Sequence, residues 1–101
     1  MHIFVPEKYS HMYTPEKQAK QINKILSSYC NKDDIITDAT ACIGGNSIFF
    51  CQDFKFVNVV EQDETIIPIL TSNLKNYKNK NIFNQNYIDI FKTLNQGVIF
   101  L

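Results

Sequence analysis

The residues best suited to chemistry lie in three short stretches, each following an apolar run. The first is Asp38-Ala39-Thr40-Ala41-Cys42-Ile43-Gly44-Gly45-Asn46. A carboxylate, then paired glycines, then a helical pattern is the make-up of a strand-to-helix turn. Such a turn aims backbone N–H groups and a helix N-terminus at a ligand, and glycine lets the ligand come close. The second is Glu61, which closes the apolar run at 56–60. A carboxylate there can accept both hydroxyl hydrogens of a ribose. The third is Asn86-Tyr87; an amide can read the edge of an adenine and the ring can flank it. Each feature alone has an ordinary explanation. Gly-Gly makes turns, Glu61 suits a surface, Asn favours turns, and Cys42 is a small filler more readily than a nucleophile. Jointly they give three ligand-facing positions in the order a nucleoside needs.

The surrounding pattern supplies elements to position them. Thr14-Pro15-Glu16 is a helix start: Thr14 can cap, Pro15 fits the first turn and Glu16 suits the dipole. Ala19, Ile22, Ile25, Leu26 and Tyr29 then recur at helical spacing, which predicts a helix over 15–29. Strands are expected at 35–39, 56–60 and 97–101, with a weaker one at 81–85. A short helix is expected over 46–52, and one or two turns over 87–94. Asp63 can cap a second long helix to Tyr77, with Ile67, Leu70, Leu74 and Tyr77 as its buried stripe; Pro68 implies a kink or a later start. Residues 1–13, with Phe4, Tyr9 and Tyr13, read as an irregular arm lying on a domain at 14–101. Alternating strands and helices predict a parallel sheet with helices on both faces.

Composition narrows the classes. The chain has 101 residues, zero formal net charge and ten basic residues, all lysine. A basic face for nucleic acid is therefore weak, and the best bidentate phosphate ligand is missing. The lysines at 75, 78 and 80 read as a solvated helix end. Cys30, Cys42 and Cys51, with only His2 and His11 to help, lack metal-site spacing and read as free thiols in a reducing compartment. No apolar run is long enough to cross a bilayer, and no signal peptide is evident. A cytoplasmic location is expected, with the nucleus as the alternative.

The stretch DATACIGGNSI resembles motif I of class I S-adenosylmethionine (SAM)-dependent methyltransferases. Within that superfamily it most resembles the trimethylguanosine synthase family, which methylates the guanosine N2 of RNA caps and shows an Asp-x-x-x-Gly-x-Gly-Gly-Asn pattern preceded by a Thr-Pro-Glu helix start. The resemblance covers residues 14–101. It implies a Rossmann-like three-layer α/β sandwich with parallel strands in the order 3-2-1-4, open at the strand 4 edge. It also implies SAM as cofactor. Asp38 and the backbone from Ala41 to Gly45, Cys42 and Gly44 included, would hold the methionine part, Glu61 the ribose, and Asn86 with Tyr87 the adenine, with Ala39 also at the cofactor. Thr14 would be a weaker contact for the carboxylate.

Two departures stand out. Cys42 replaces the first glycine of the pattern, and Asn86 stands where an acid is expected. The family's Asp/Asn/Ser-Pro-Pro-aromatic motif should follow the fourth strand, where this sequence stops, so no catalytic residue and no metal ligand is assigned. The expected partners are RNA, capped in the finer reading, and a second chain at the 98–101 edge, with no membrane. The competing reading is an inactive methyltransferase remnant serving as a binding or scaffold module. A dinucleotide enzyme is disfavoured, because Gly44-Gly45 lacks the spaced glycine triplet.

Overall fold

The computed structural model describes residues 4–9, 13–31 and 33–101. Residues 1–3, 10–12 and 32, His2 and His11 among them, lie outside the described residues. Four strands, β1 (Ile35–Asp38), β2 (Phe56–Val60), β3 (Lys80–Phe83) and β4 (Val98–Phe100), form one parallel sheet in the order β3-β2-β1-β4. Helices α1 (Glu16–Tyr29), α2 (Ser47–Asp53), α3 (Ile67–Asn73) and α4 (Tyr87–Ile90) connect or precede them, with short 3-10 turns at Glu7–Tyr9 and Phe91–Thr93. The parallel sheet is the one expected from the alternating pattern, and its order is the Rossmann-like one that the resemblance implies. Among the described residues, no helix is long and apolar enough to cross a membrane.

Register partners in a parallel sheet project to the same face. Ile36 pairs with Val57 and Val98, and Asp38 with Val59 and Phe100. These side chains, Asp38 apart, belong to or pack against one apolar core that also takes in Ala19 of α1, Ile48 and Phe50 of α2, and Leu70 of α3, together with Leu74 just beyond it. Phe50 is fully buried and meets Phe54 and Phe100 edge-on, with ring centroids 6.0 and 5.4 Å apart; burying such a side chain contributes about 1.5–3 kcal/mol. The opposite face carries Thr37 and Asn58, both buried. Asn58 Nδ2 donates to Thr37 Oγ1 at 3.2 Å and to the Asn95 carbonyl at 2.9 Å. Val60 and Ile90 of α4 are also buried, outside that main core.

Several local expectations need correction. Thr14 does not cap α1: Pro15 occupies the cap position without a side-chain bond, and the Thr14 hydroxyl accepts from Asn46 Nδ2 at 2.8 Å instead. Ile25 and Tyr29 face solvent, whereas Asn23 turns inward and donates to Asp53. Asp63 does not cap a long helix; its Oδ1 takes the Thr65 amide and hydroxyl in a local turn. That delays α3 to Ile67, places Pro68 in the first turn where its missing N–H is harmless, and leaves Tyr77 outside the helix. In β4, at the edge of the sheet, Ile99 is 48% exposed.

Candidate functional site

Every strand points its carboxyl end the same way, so the turns after β1, β2 and β3 and the end of β4 converge. Between them lies a cleft of about 280 Å³. Ala39 and Thr40 line it from the β1 turn, Glu61 and Gln62 from the end of β2, residues 85–88 from the β3 turn, and Leu101 from beyond β4. A second recess of about 360 Å³ adjoins it, sharing Thr40, Glu61 and Gln62 and adding Cys42, Asp63 and Ile66. Glu61 therefore stands where two arms of one groove meet.

Glu61 is fixed by its neighbours. Its Oε1 accepts the Cys42 amide at 2.8 Å and its Oε2 the Asp63 amide at 2.9 Å. Asn84 Nδ2 donates to the Glu61 carbonyl at 3.0 Å, tying the β3 turn to it. Each carboxylate oxygen takes one N–H, and a carboxylate has about four lone-pair sites in all, so acceptor capacity remains toward the groove. Asn86 caps α4, its Oδ1 accepting from the Ile88 amide at 3.0 Å. The Tyr87 hydroxyl accepts from Gln96 Nε2 at 2.9 Å, which anchors the ring at its far end.

Of the residues singled out by sequence, the structure brings Ala39, Cys42, Glu61, Asn86 and Tyr87 to the groove. Thr14 and Asp38 lie behind the β1 turn, and Ala41, Gly44 and Gly45 form part of it without lining the groove. The amides of Ala41 and Gly44 bond to the carbonyls of Val60 and Ala41, and that of Cys42 to Glu61, so they hold the turn together instead of lying open. The glycines are needed for protein contacts: a Cβ at Gly45 would lie 2.7 Å from the Thr14 carbonyl, and Gly44 has φ +97° with Leu70 and Leu74 close by. Cys42, also left-handed at φ 53°, carries a side chain where that conformation favours glycine. Thr40, Gln62, Gln85, Ile88 and Leu101 line the groove without having been singled out. Their adjacency to singled-out residues or strand ends is the only sequence signal they carry.

Beneath the turn, Asp38 is 1% exposed; its Oδ2 accepts from Ser47 Oγ at 2.6 Å while Oδ1 is buried without a well-formed partner. Loss of hydration raises its pKa to about 6; Ser47 and the Thr40 backbone pull it down, and the charge of Glu61 adds a small push upward. Burial likewise raises the Cys42 thiol, which is no activated nucleophile. All three cysteines are free. Among the described residues, no group of three His, Cys, Asp or Glu side chains could hold a metal.

No family model matches the sequence. An uncharacterised protein of Acanthamoeba polyphaga mimivirus is 34% identical over 71 residues, which is 65% of this chain and 28% of that protein. Among solved structures, a proposed RNA methyltransferase of Pyrococcus horikoshii is 22% identical, with a TM-score of 0.72, over 88% of this chain and 47% of that one. A precorrin 8w decarboxylase of Methanobacterium thermoautotrophicum is 14% identical, with a TM-score of 0.76, over 93% and 53%. A proposed methyltransferase of Streptococcus mutans, in complex with S-adenosylhomocysteine, is 21% identical, with a TM-score of 0.69, over 86% and 49%. At these identities the likeness carries the fold. The chain spans about half the length of these solved structures and 28% of its curated relative.

Proposed function

We propose that residues 14–101 are the cofactor-binding part of a SAM-dependent methyltransferase acting on RNA, with residues 1–13 an arm upon it. The observation that carries this reading is the convergence of Thr40, Glu61 and Asn86-Tyr87 on one groove at the carboxyl ends of a 3-2-1-4 sheet. The structural neighbour described as a proposed RNA methyltransferase and the one that holds S-adenosylhomocysteine support it. The residues present fit the cofactor. Glu61 keeps acceptor capacity for ribose hydroxyls, Tyr87 and Ile88 offer an apolar wall for a base, and the Cys42 arm takes the amino-acid end. Asp38, Ala41, Gly44 and Gly45 act through the turn they support, and Thr14 braces it from outside. Bound SAM supplies an electrophilic methyl group. The work of this chain is orientation, holding that methyl for in-line attack, and positioning is a large part of such catalysis. The finer reading is guanosine N2 of an RNA cap.

Calorimetry with S-adenosylhomocysteine tests this. Glu61→Ala should weaken binding by about 1–3 kcal/mol, whereas Glu61→Gln, which still accepts the Cys42 amide, should keep the turn intact and lose less. Unchanged affinity in both variants would remove Glu61 from the site.

A further inference from the structure

The N-terminal arm is fastened to the back of the groove at separated points. At one end Asn73, the last residue of α3, pairs with the backbone of Phe4: the Phe4 amide donates to Asn73 Oδ1 at 2.8 Å, and Asn73 Nδ2 donates to the Phe4 carbonyl at 3.0 Å. The same Nδ2 donates at 2.8 Å to the Ile43 carbonyl. Ile43 lies between Cys42 and Gly44, the two positive-φ residues among those described. Asn73 thus grips the arm with one pair of bonds and the strained corner of the β1 turn with a third. Tyr9 sinks into the core. At the far end the Thr14 carbonyl packs on Gly45 and its hydroxyl takes the Asn46 amide.

We propose that the arm is a strap whose seating sets the shape of the groove, with Asn73 as the positioning residue that links the two; this rests on the cofactor-binding reading. A left-handed non-glycine residue persists only where its surroundings over-determine it. At Cys42 those surroundings are Glu61 on its amide and Asn73 on the next carbonyl. With Asn73 disengaged, the corner relaxes and the Cys42 amide leaves Glu61, the group placed on the ribose. By linkage, ligand binding must favour the seated arm to the same degree that the seated arm favours ligand.

The test is amide hydrogen exchange on the whole chain, with and without S-adenosylhomocysteine, alongside calorimetry. In wild type, ligand should slow exchange across residues 4–9, which do not touch the groove. Asn73→Ala should speed exchange of the Cys42 amide without ligand, abolish the ligand-induced protection of 4–9, and weaken affinity roughly tenfold, the loss of about one hydrogen bond. Asn73→Asp keeps the acceptor for Phe4 but loses both donors, so it should free the Cys42 amide while leaving the Phe4 amide partly protected. If Asn73→Ala does not fold, Asn73→Asp and Phe4→Pro, which leaves α3 untouched, carry the same readouts. Faster exchange confined to 4–9, with the Cys42 amide unchanged, would overturn the proposal and leave Asn73 a clasp for the arm only. Failure of wild type to bind S-adenosylhomocysteine would instead sink the cofactor reading, and the ligand-free exchange at Cys42 would still decide the strap.

Discussion

The two ends of the groove are built on different terms. At the Cys42 end, a turn with two left-handed residues is held by Val60, Glu61, Asn73 and Thr14 and rests on a buried carboxylate. At the Tyr87 end, a single-turn helix carries an exposed Ile88 and a Tyr87 anchored through Gln96. One end stores strain and needs many partners to keep it; the other adopts ordinary geometry and needs few. The difference implies that substitutions behind the Cys42 end should alter stability and binding together. Substitutions at the Tyr87 end should alter binding and leave stability almost unchanged.

The largest expected effect is at Asp38. Its folded pKa of about 6 lies above the ordinary 3.8, so the native state holds the proton more tightly than the unfolded chain. The stabilisation from this group is therefore fully present below pH 3.8, is lost as pH rises through 6, and stays lost above that. Two pKa units correspond to roughly 3 kcal/mol. Urea titrations from pH 4 to 8 should show Asp38→Asn gaining on wild type across that window and holding its lead at pH 7. A constant difference would mean that the carboxylate is better solvated than its burial implies.

Next comes Gly45→Ala. A methyl 2.7 Å from the Thr14 carbonyl must move backbone, and overpacking of this kind costs about 1–3 kcal/mol. Thermal melts should fall, with faster exchange at the Thr14 and Asn46 contacts. A neutral result would show that the arm yields freely, and would weaken the contrast between the two ends. Cys42→Gly should act in the opposite direction. Removing the Cβ relieves a left-handed strain of about 1–2 kcal/mol, partly offset by the added freedom of glycine in the unfolded chain. A small gain in denaturation midpoint is expected, and a loss would place the stabilising value of the thiol above the strain. The smallest effect belongs to Tyr87→Phe. It should leave the melting temperature within experimental error and weaken S-adenosylhomocysteine binding by about 0.5–1.5 kcal/mol, through a ring no longer pinned by Gln96. A drop in stability larger than in binding would break the comparison outright.

The sheet was legible in the sequence because its signals are local. Apolar runs at 35–39 and 56–60, each closed by or followed by a carboxylate, mark β1 and β2 to within a residue. Helix starts were misread where a local side chain had a better distant partner. Thr14 looks like a cap until Asn46, far along the chain, claims its hydroxyl, and Asp63 looks like one until Thr65 folds back on it. Ile25 and Tyr29 fit the helical period but fall on a flank of α1 that nothing covers. The groove was legible at Glu61, Asn86 and Tyr87 because a strand end dictates where the next residue points. The role of Asn73 was not, since its partners Phe4 and Ile43 lie 69 and 30 positions away and no periodicity relates them.

The strand order also bears on how the chain is made. β1 sits inside the sheet, with β2 on one side and β4 on the other, and Ile36 pairs with Val98. A ribosome adds about 5–20 residues per second. The partner for the second side of β1 therefore emerges on the order of 3–12 seconds after β1 itself, at that pace. During that interval β1 and β2 can pair, while the other flank of β1, apolar at Ile35 and Ile36, is open to any passing strand. Synthesis slowed between β3 and β4 would lengthen that exposure, and a chaperone that recognises short apolar segments would find its target there.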